Sequence, residues 1–142
     1  MKITIITAVF NGEKYLEEAI KSVLCQNYEN FEYIIVNDGS NDSTKEIIEK
    51  YSKEDNRIVP IHHNNSGHVI SYNRGILNST GEYLLFLDSD DYLSNSNSLG
   101  QLVSKISKDV DIVYGLFGEE RRPSLNDGIY LSDIFLERQL SD

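Results

Sequence analysis

Four consecutive residues, Asp88-Ser89-Asp90-Asp91, carry the clearest chemistry in this sequence. Carboxylates this close repel one another, at a cost of about 3–4 kcal/mol for each close pair at an effective dielectric constant of roughly 20. A hard divalent cation relieves that repulsion, because carboxylate oxygens are ligands that Mg²⁺ and Mn²⁺ prefer. The alternative is a solvated acidic turn that caps the next helix. Since the cluster directly follows the apolar run 83–87, its context favours a metal site.

A second carboxylate, Asp38, follows the apolar run 33–36 and belongs to the turn cluster Asn37-Asp38-Gly39-Ser40. At the end of a strand, such a group can accept a hydrogen bond from a nucleobase, and the N3–H of uracil suits it. The alternative is a turn residue that bonds its own backbone, as Asp-Gly commonly does. Taken alone, the turn cluster favours the alternative.

The histidines and the single cysteine offer weaker signals. His62, His63 and His68 could suggest zinc, but no cysteine lies near them, and a solvated loop explains them better. Because Cys25 is the single cysteine, no internal disulfide can form, and we expect Cys25 to be buried on the apolar face of a helix. These residues therefore add no second candidate site.

The elements that position the carboxylates alternate between strand-like and helical patterns, which predicts an α/β fold with a mostly parallel sheet. Strands are predicted at 3–10, 31–36, 58–61, 83–87 and 111–114. Helices are predicted at 16–24, 43–51, 69–78, 99–106 and 131–140, and Ser43 with Glu46 has the spacing of a capping box. Ligands bind at the carboxyl ends of parallel strands, so the polar residues after the first, second and fourth strands should converge.

Size and charge limit the possible functions. The chain has 142 residues, the size of one domain, and a formal net charge of −10. That charge disfavours binding to nucleic acid, and a diphosphate ligand would need a cation beside it. No apolar run is long enough to span a membrane, and no Gly-x-Gly-x-x-Gly follows a predicted strand, which excludes a dinucleotide-binding dehydrogenase.

Read together, the motifs resemble the nucleotide-binding half of the inverting family 2 glycosyltransferases over residues 1–93. The matching segments, in chain order, are Thr7-Ala8-Val9-Phe10-Asn11, Gln26-Asn27-Tyr28, 31–42, Asn73-Arg74-Gly75-Ile76, Gly81-Glu82-Tyr83 and 86–91. The resemblance implies the GT-A fold, a Rossmann-like sandwich with a mostly parallel central sheet. It also implies a nucleotide-sugar-binding core at 1–115 and the start of an acceptor-side region at 116–142, with the catalytic base beyond Asp142.

The same resemblance implies roles for individual residues. The residues that would bind the donor are Thr7, Ala8, Val9, Asn11, Asp38, Asn73, Arg74, Asp88 and Ser89. Asp90, together with Asp88, would hold Mn²⁺ or Mg²⁺. Many members carry Arg where this chain has Tyr72, and Arg74 would supply the missing charge.

The resemblance implies an enzyme that moves a sugar from a nucleotide-diphosphate donor, above all a UDP-sugar, to an acceptor hydroxyl with inversion. Its setting would be polysaccharide or cell-surface glycan synthesis, with a glycan, lipid-linked or protein acceptor. It would work in the cytoplasm or at the inner face of the membrane. Two alternatives remain, a sugar-nucleotide pyrophosphorylase and a non-catalytic nucleotide-binding domain.

Overall fold

The computed structural model describes residues 1–106, 112–115 and 134–138 of the chain. The strands are β1 (Ile3–Val9), β2 (Phe31–Asp38), β3 (Ile58–His63), β4 (Tyr83–Phe86), β5 (Ile112–Gly115) and β6 (Ile134–Arg138). The helices are α1 (Leu16–Leu24), α2 (Thr44–Glu54), α3 (His68–Leu77) and α4 (Ser98–Val103). The strands form one sheet in the order β3-β2-β1-β4-β6-β5. The first four are parallel, which confirms the predicted α/β class.

The sheet lies between two layers of helices. Every residue of β1 and β2 is buried, as expected of strands covered on both faces. One face, with Ile5 and Tyr33, packs against α1, α2 and α4. The other face, with Ile6 and Ile34, packs against α3. Because side chains alternate along a strand, neighbouring residues of β1 and β2 point into different layers.

Two predictions about helix ends were wrong. Helix α1 ends at Leu24, and Cys25 is exposed rather than buried. At about 100° per residue, nine residues separate Cys25 from Leu16 by about half a turn, so it points away from the apolar stripe. The capping box at the start of α2 does not form either, since the Ser43 side chain makes no cap hydrogen bond. Instead Asp42 Oδ1 accepts the backbone N–H of Thr44 at 3.0 Å.

The two turns that follow β1 and β2, residues 11–13 and 40–44, are bonded to each other; we call them the paired turns. Three backbone N–H groups of the first turn bond to side chains of the second, those of Asn11, Gly12 and Glu13. In return, the side chains of Asn11 and Glu13 accept N–H groups of the second turn. Asn11 adopts a positive φ of 53° within this arrangement. The carboxyl ends of β1 and β2 are therefore held in one fixed relation.

The expected last helix was also wrong. Within 131–140, residues Ile134–Arg138 form β6, which lies antiparallel to both β4 and β5. Without a neighbour, β4 would have an unpaired edge, and its pairing with β6 supplies hydrogen bonds that outweigh the helical pattern of a short segment. No helix among the described residues has the length and apolar character needed to cross a membrane.

A buried carboxylate lies at the opposite, amino end of the strands. Glu32 accepts hydrogen bonds from Lys2 Nζ at 2.7 Å, from Thr4 Oγ1 at 2.6 Å, and from both N–H and hydroxyl of Thr80 at 2.6 and 2.7 Å. Burial raises the pKa of the Glu32 carboxyl, but these hydrogen bonds outweigh it and hold the pKa at about 2. Glu32 thus ties the starts of β1, β2 and β4 together, far from the carboxyl ends.

Candidate functional site

A cleft of about 240 Å³ opens at the carboxyl ends of β1 and β2, beside the start of α3. Its lining residues are Ala8, Val9, Phe10, Asp38, Asn65, Gly67, His68 and Ser71. The walls formed by β1 are apolar, whereas Asp38 brings a carboxylate to the cleft. This position is the one that the sheet topology predicts for a ligand site.

Asp38 organises the loop on the far side of the cleft. Its Oδ1 accepts the backbone N–H of Ser66 at 2.7 Å and its Oδ2 that of Gly67 at 3.0 Å. The side chain is only 7% exposed. The sequence suggested two roles for Asp38, a contact with a base or a bond within its own turn. Neither of them included this contact with the 64–67 turn. A carboxylate has about four lone-pair sites, so Asp38 keeps acceptor capacity for a ligand.

Thr7 lies on the other face of the sheet. It is fully buried, and its hydroxyl bonds to Tyr33 Oη at 2.9 Å and donates to the Leu87 carbonyl at 2.7 Å. Its neighbour Ala8 points toward α3 and the cleft. The Thr7 side chain therefore does not line the cleft, whereas Ala8 and Val9 do; donor binding by these three residues stays a prediction.

Tyr72 connects the cleft to the acidic cluster. Its hydroxyl donates to Asp88 Oδ1 at 2.9 Å. Its ring makes edge contacts with His68, which lines the cleft, and with Phe86, at centroid distances of 4.5 and 5.3 Å. Burial, reinforced by the Asp88 charge, raises the pKa of the Tyr72 hydroxyl, so it stays protonated and keeps donating. Tyr72 therefore fixes one oxygen of Asp88 beside the cleft.

The other predicted residues differ in environment. Asp88 and Asp90 are exposed, and Ser89 is half-buried. Asn73 and Arg74 are exposed on α3, whose buried residues are Ser71 and Gly75. Asn11 is exposed in the paired turns, and its side chain bonds to Asn41. The structure thus brings Ala8, Val9 and Asp38 together in the cleft and joins Asp88 to it through Tyr72.

The sequence predicts that the acidic cluster at 88–91 holds a divalent cation. Among residues 1–106, no three His, Cys, Asp or Glu side chains are arranged to hold a metal ion. Mg²⁺ and similar ions, however, commonly bind through one or two carboxylates together with substrate phosphates and water. Two exposed carboxylates, Asp88 and Asp90, offer hard oxygen donors of that kind. The residues present therefore fit a metal bound jointly by the protein and a diphosphate.

Sequence reasoning missed three contributors: His63, the 66–67 backbone and Tyr72. The parallel pairing of β2 with β3 sets Asp38 opposite His63. That register depends on how the strands pack, and no local pattern records it. In the sequence, Tyr72 stands out only because many family members carry Arg at its position. Its bond to Asp88 depends on how α3 packs across β1.

The fold defines a class of proteins. Residues 1–349 of TarS from S. aureus, a GT-A transferase, superpose with a TM-score of 0.81 and 29% sequence identity, covering 97% of this chain and 47% of that one. The same region of TarS in complex with UDP-GlcNAc gives a TM-score of 0.77 and 30% identity, over 88% of this chain and 37% of that one. The GT-A fold predicted from the sequence is confirmed.

The family follows from the sequence comparison. The sequence model for "Glycosyl transferase family 2" matches residues 4–132, and the chain therefore belongs to that family. Glycosyltransferase GlyA of Streptococcus pneumoniae is 42% identical over 92 residues, 65% of this chain and 13% of the relative. TuaG of Bacillus subtilis, a candidate glycosyltransferase of teichuronic acid biosynthesis, is 39% identical over 90 residues, 63% of this chain and 36% of the relative. The chain thus spans a minor part of each relative's length.

Proposed function

We propose that the cleft binds the nucleotide of a UDP-sugar and that the chain is the donor-binding half of an inverting glycosyltransferase. One observation carries this proposal: Asp38 lines a cleft at the carboxyl ends of β1 and β2, and Tyr72 of α3 bonds to Asp88, which follows β4, beside that cleft. Family 2 membership and the TarS complex with UDP-GlcNAc support the same ligand class.

The base would lie between the apolar wall of Ala8 and Val9 and the turn held by Asp38. The remaining acceptor capacity of Asp38 suits the N3–H of uracil, and the backbone bonds to Ser66 and Gly67 keep the carboxylate in place. A rigid acceptor loses little freedom when the base binds, which favours affinity. Thymine offers the same N3–H and guanine an N1–H, so the comparison of UDP, GDP and dTDP below distinguishes the donors.

The diphosphate would lie on the Asp88 side of the cleft. The chain carries a net charge of −10, so charge repulsion opposes an unaccompanied diphosphate. Mn²⁺ or Mg²⁺ held by Asp90 and Asp88 would offset that charge and stabilise the departing nucleotide. Asn73 and Arg74, exposed on α3, are the remaining donor-binding candidates, with Ser89 next to the metal ligands.

The proposal extends to the setting in which the enzyme acts. We place it in cell-surface glycan synthesis, in keeping with the described role of TuaG, acting in the cytoplasm or at the inner face of the membrane. The acceptor is a glycan, a lipid-linked sugar or a protein. We infer that residues 116–142 contribute to the acceptor side of the enzyme, where a base would deprotonate the acceptor hydroxyl.

Nucleotide binding by the 142-residue chain tests the proposal. Thermal unfolding is followed with UDP, GDP and dTDP, each with Mn²⁺ and with EDTA. A ligand that binds only the native state should add about 2.7 kcal/mol at 100 times its dissociation constant. We expect UDP to stabilise the chain only when Mn²⁺ is present. No shift with any nucleotide, in a folded sample, would refute the proposed function.

The metal role has its own variant. Asp90→Ala should abolish the Mn²⁺-dependent part of UDP binding, because it removes the main proposed metal ligand. Glu29→Ala, an exposed carboxylate just before β2 at the other end of the sheet, is the matched control and should bind as the unmodified chain does. Unchanged metal dependence in Asp90→Ala would remove Asp90 from the metal site.

A further inference from the structure

The His63 imidazole lies between Asp38 and Ser71 behind the cleft. Its side chain is only 5% exposed. Nδ1 lies 2.7 Å from the Asn64 carbonyl and 3.4 Å from Asp38 Oδ1, and Nε2 lies 3.2 Å from Ser71 Oγ. Ser71 is fully buried on α3, and its hydroxyl also lies 3.2 Å from the Gly67 carbonyl. One imidazole therefore links β2, β3 and α3.

These neighbours determine which nitrogen carries the proton. A carbonyl and a carboxylate only accept hydrogen bonds, so a nitrogen placed against both of them must be a donor. Nδ1 therefore carries hydrogen, and it donates to Asn64. In the neutral ring Nε2 is then an acceptor that faces the Ser71 hydroxyl, and the single hydrogen of that hydroxyl is shared between Nε2 and the Gly67 carbonyl. The surroundings thus select the Nδ1–H tautomer of His63.

We propose that His63, as this Nδ1–H tautomer, is a positioning residue that fixes the 64–67 turn and thereby sets the affinity of the cleft for the nucleobase. The inference rests on the proposed nucleotide site and assigns a residue that supports it from behind. His63 does not line the cleft, so it acts through the turn and through Asp38.

The turn is held from three directions, and His63 supplies one of them. Asp38 holds its end through two backbone N–H groups. Gly39 packs beneath it so closely that a Cβ there would lie 2.6 Å from the Asn65 nitrogen. His63 holds its start through the Asn64 carbonyl. Because Asn65 and Gly67 both line the cleft, a shift at Asn64 would change the surface that the base meets.

The first test is spectroscopic. Heteronuclear NMR of the imidazole nitrogens distinguishes the two neutral tautomers, and the His63 signals are assigned by comparison with His62→Asn and His63→Asn. We expect His63 to carry its proton on Nδ1. A neutral ring with its proton on Nε2 would overturn the inference, because Nδ1 would then not donate to Asn64.

The second test uses two variants that separate the role of Nδ1 from that of Nε2. His63→Asn places an amide donor near the position of Nδ1, whereas His63→Gln reaches the position of Nε2 and loses the donor to Asn64. We expect the Gln variant to bind UDP with Mn²⁺ about tenfold more weakly and the Asn variant to stay within about threefold, as the loss of one hydrogen bond to the turn implies. The controls are His62→Asn and His62→Gln, since His62 points the other way to Asn37 and Glu49.

The outcomes separate this inference from the proposed function. An unmodified chain that does not bind UDP refutes the nucleotide site itself. Normal binding by the unmodified chain, with equal affinities in the two His63 variants, overturns only the role of His63. If His63→Gln does not fold, the tautomer in the unmodified chain decides, with Nδ1–H supporting the inference and Nε2–H overturning it.

Discussion

The buried Glu32 carboxylate should make the unfolding free energy of this chain depend on pH. A single substitution at Glu32 should remove that part of the pH dependence. The side chain is 11% exposed, and its hydrogen bonds hold its pKa at about 2, against 4.5 ordinarily. A carboxyl with a lowered pKa in the folded state stabilises the fold above its unfolded pKa. That contribution is lost as the pH falls through the folded value.

The size follows from the two pKa values. A fall from 4.5 to about 2 is equivalent to about 3 kcal/mol at neutral pH, of which about 1 kcal/mol remains near pH 3. Glu32→Gln keeps the shape of the side chain and removes its titration. The difference in unfolding free energy between the unmodified chain and this variant should therefore shrink by about 2 kcal/mol between pH 7 and pH 3.

Urea denaturation of both proteins at the two pH values measures this difference. Other carboxylates titrate equally in both chains and cancel. Glu82→Gln serves as the control, because Glu82 is 65% exposed near the same strand ends. A difference that stays constant to within about 0.5 kcal/mol would refute the claim that the Glu32 hydrogen bonds stabilise its charged form, since additivity errors are of about that size.

Two further substitutions test contacts near the cleft. Tyr72→Phe should weaken Mn²⁺-dependent UDP binding by roughly fivefold while the ring keeps its packing, because Asp88 loses one hydrogen bond. Calorimetric titration measures this, and an unchanged affinity would show that the bond does not matter for the ligand. Thr7→Val should lower the unfolding free energy by about 1–3 kcal/mol, because it leaves the buried Leu87 carbonyl without its donor. UDP affinity should be unchanged, and a large loss would mean that the hydroxyl contacts the ligand.

The repeating local patterns of the sequence were sufficient to predict the core sheet and its helices. Continuous apolar runs predicted β1 and β2, and the apolar stripe after Asn11 predicted α1. Those patterns reflect burial by neighbouring layers, because the side chains that become buried are apolar and recur at a regular spacing. The helix predicted at 131–140 was wrong because a short run of apolar and polar residues is compatible with a helix or a strand. The pairing of β6 with β4 decides between them.

The candidate site was predictable in outline only. Asp38 and Asp88 could be found because each follows an apolar strand, and sheet topology places such residues together. The bonds from His63 to Asn64 and from Tyr72 to Asp88 could not be found this way. They depend on strand register and on the angle of a helix across the sheet, which distant parts of the chain determine.

The paired turns have a consequence for how this site can be altered. Because their backbone N–H groups and side chains bond reciprocally, exchanging one turn removes hydrogen-bond partners from the other. Grafting one turn from a relative would leave unmatched donors and acceptors on both sides, whereas grafting 11–13 and 40–44 together would transfer a complete unit. The two segments, although separated in sequence, should therefore be inherited and engineered as one module.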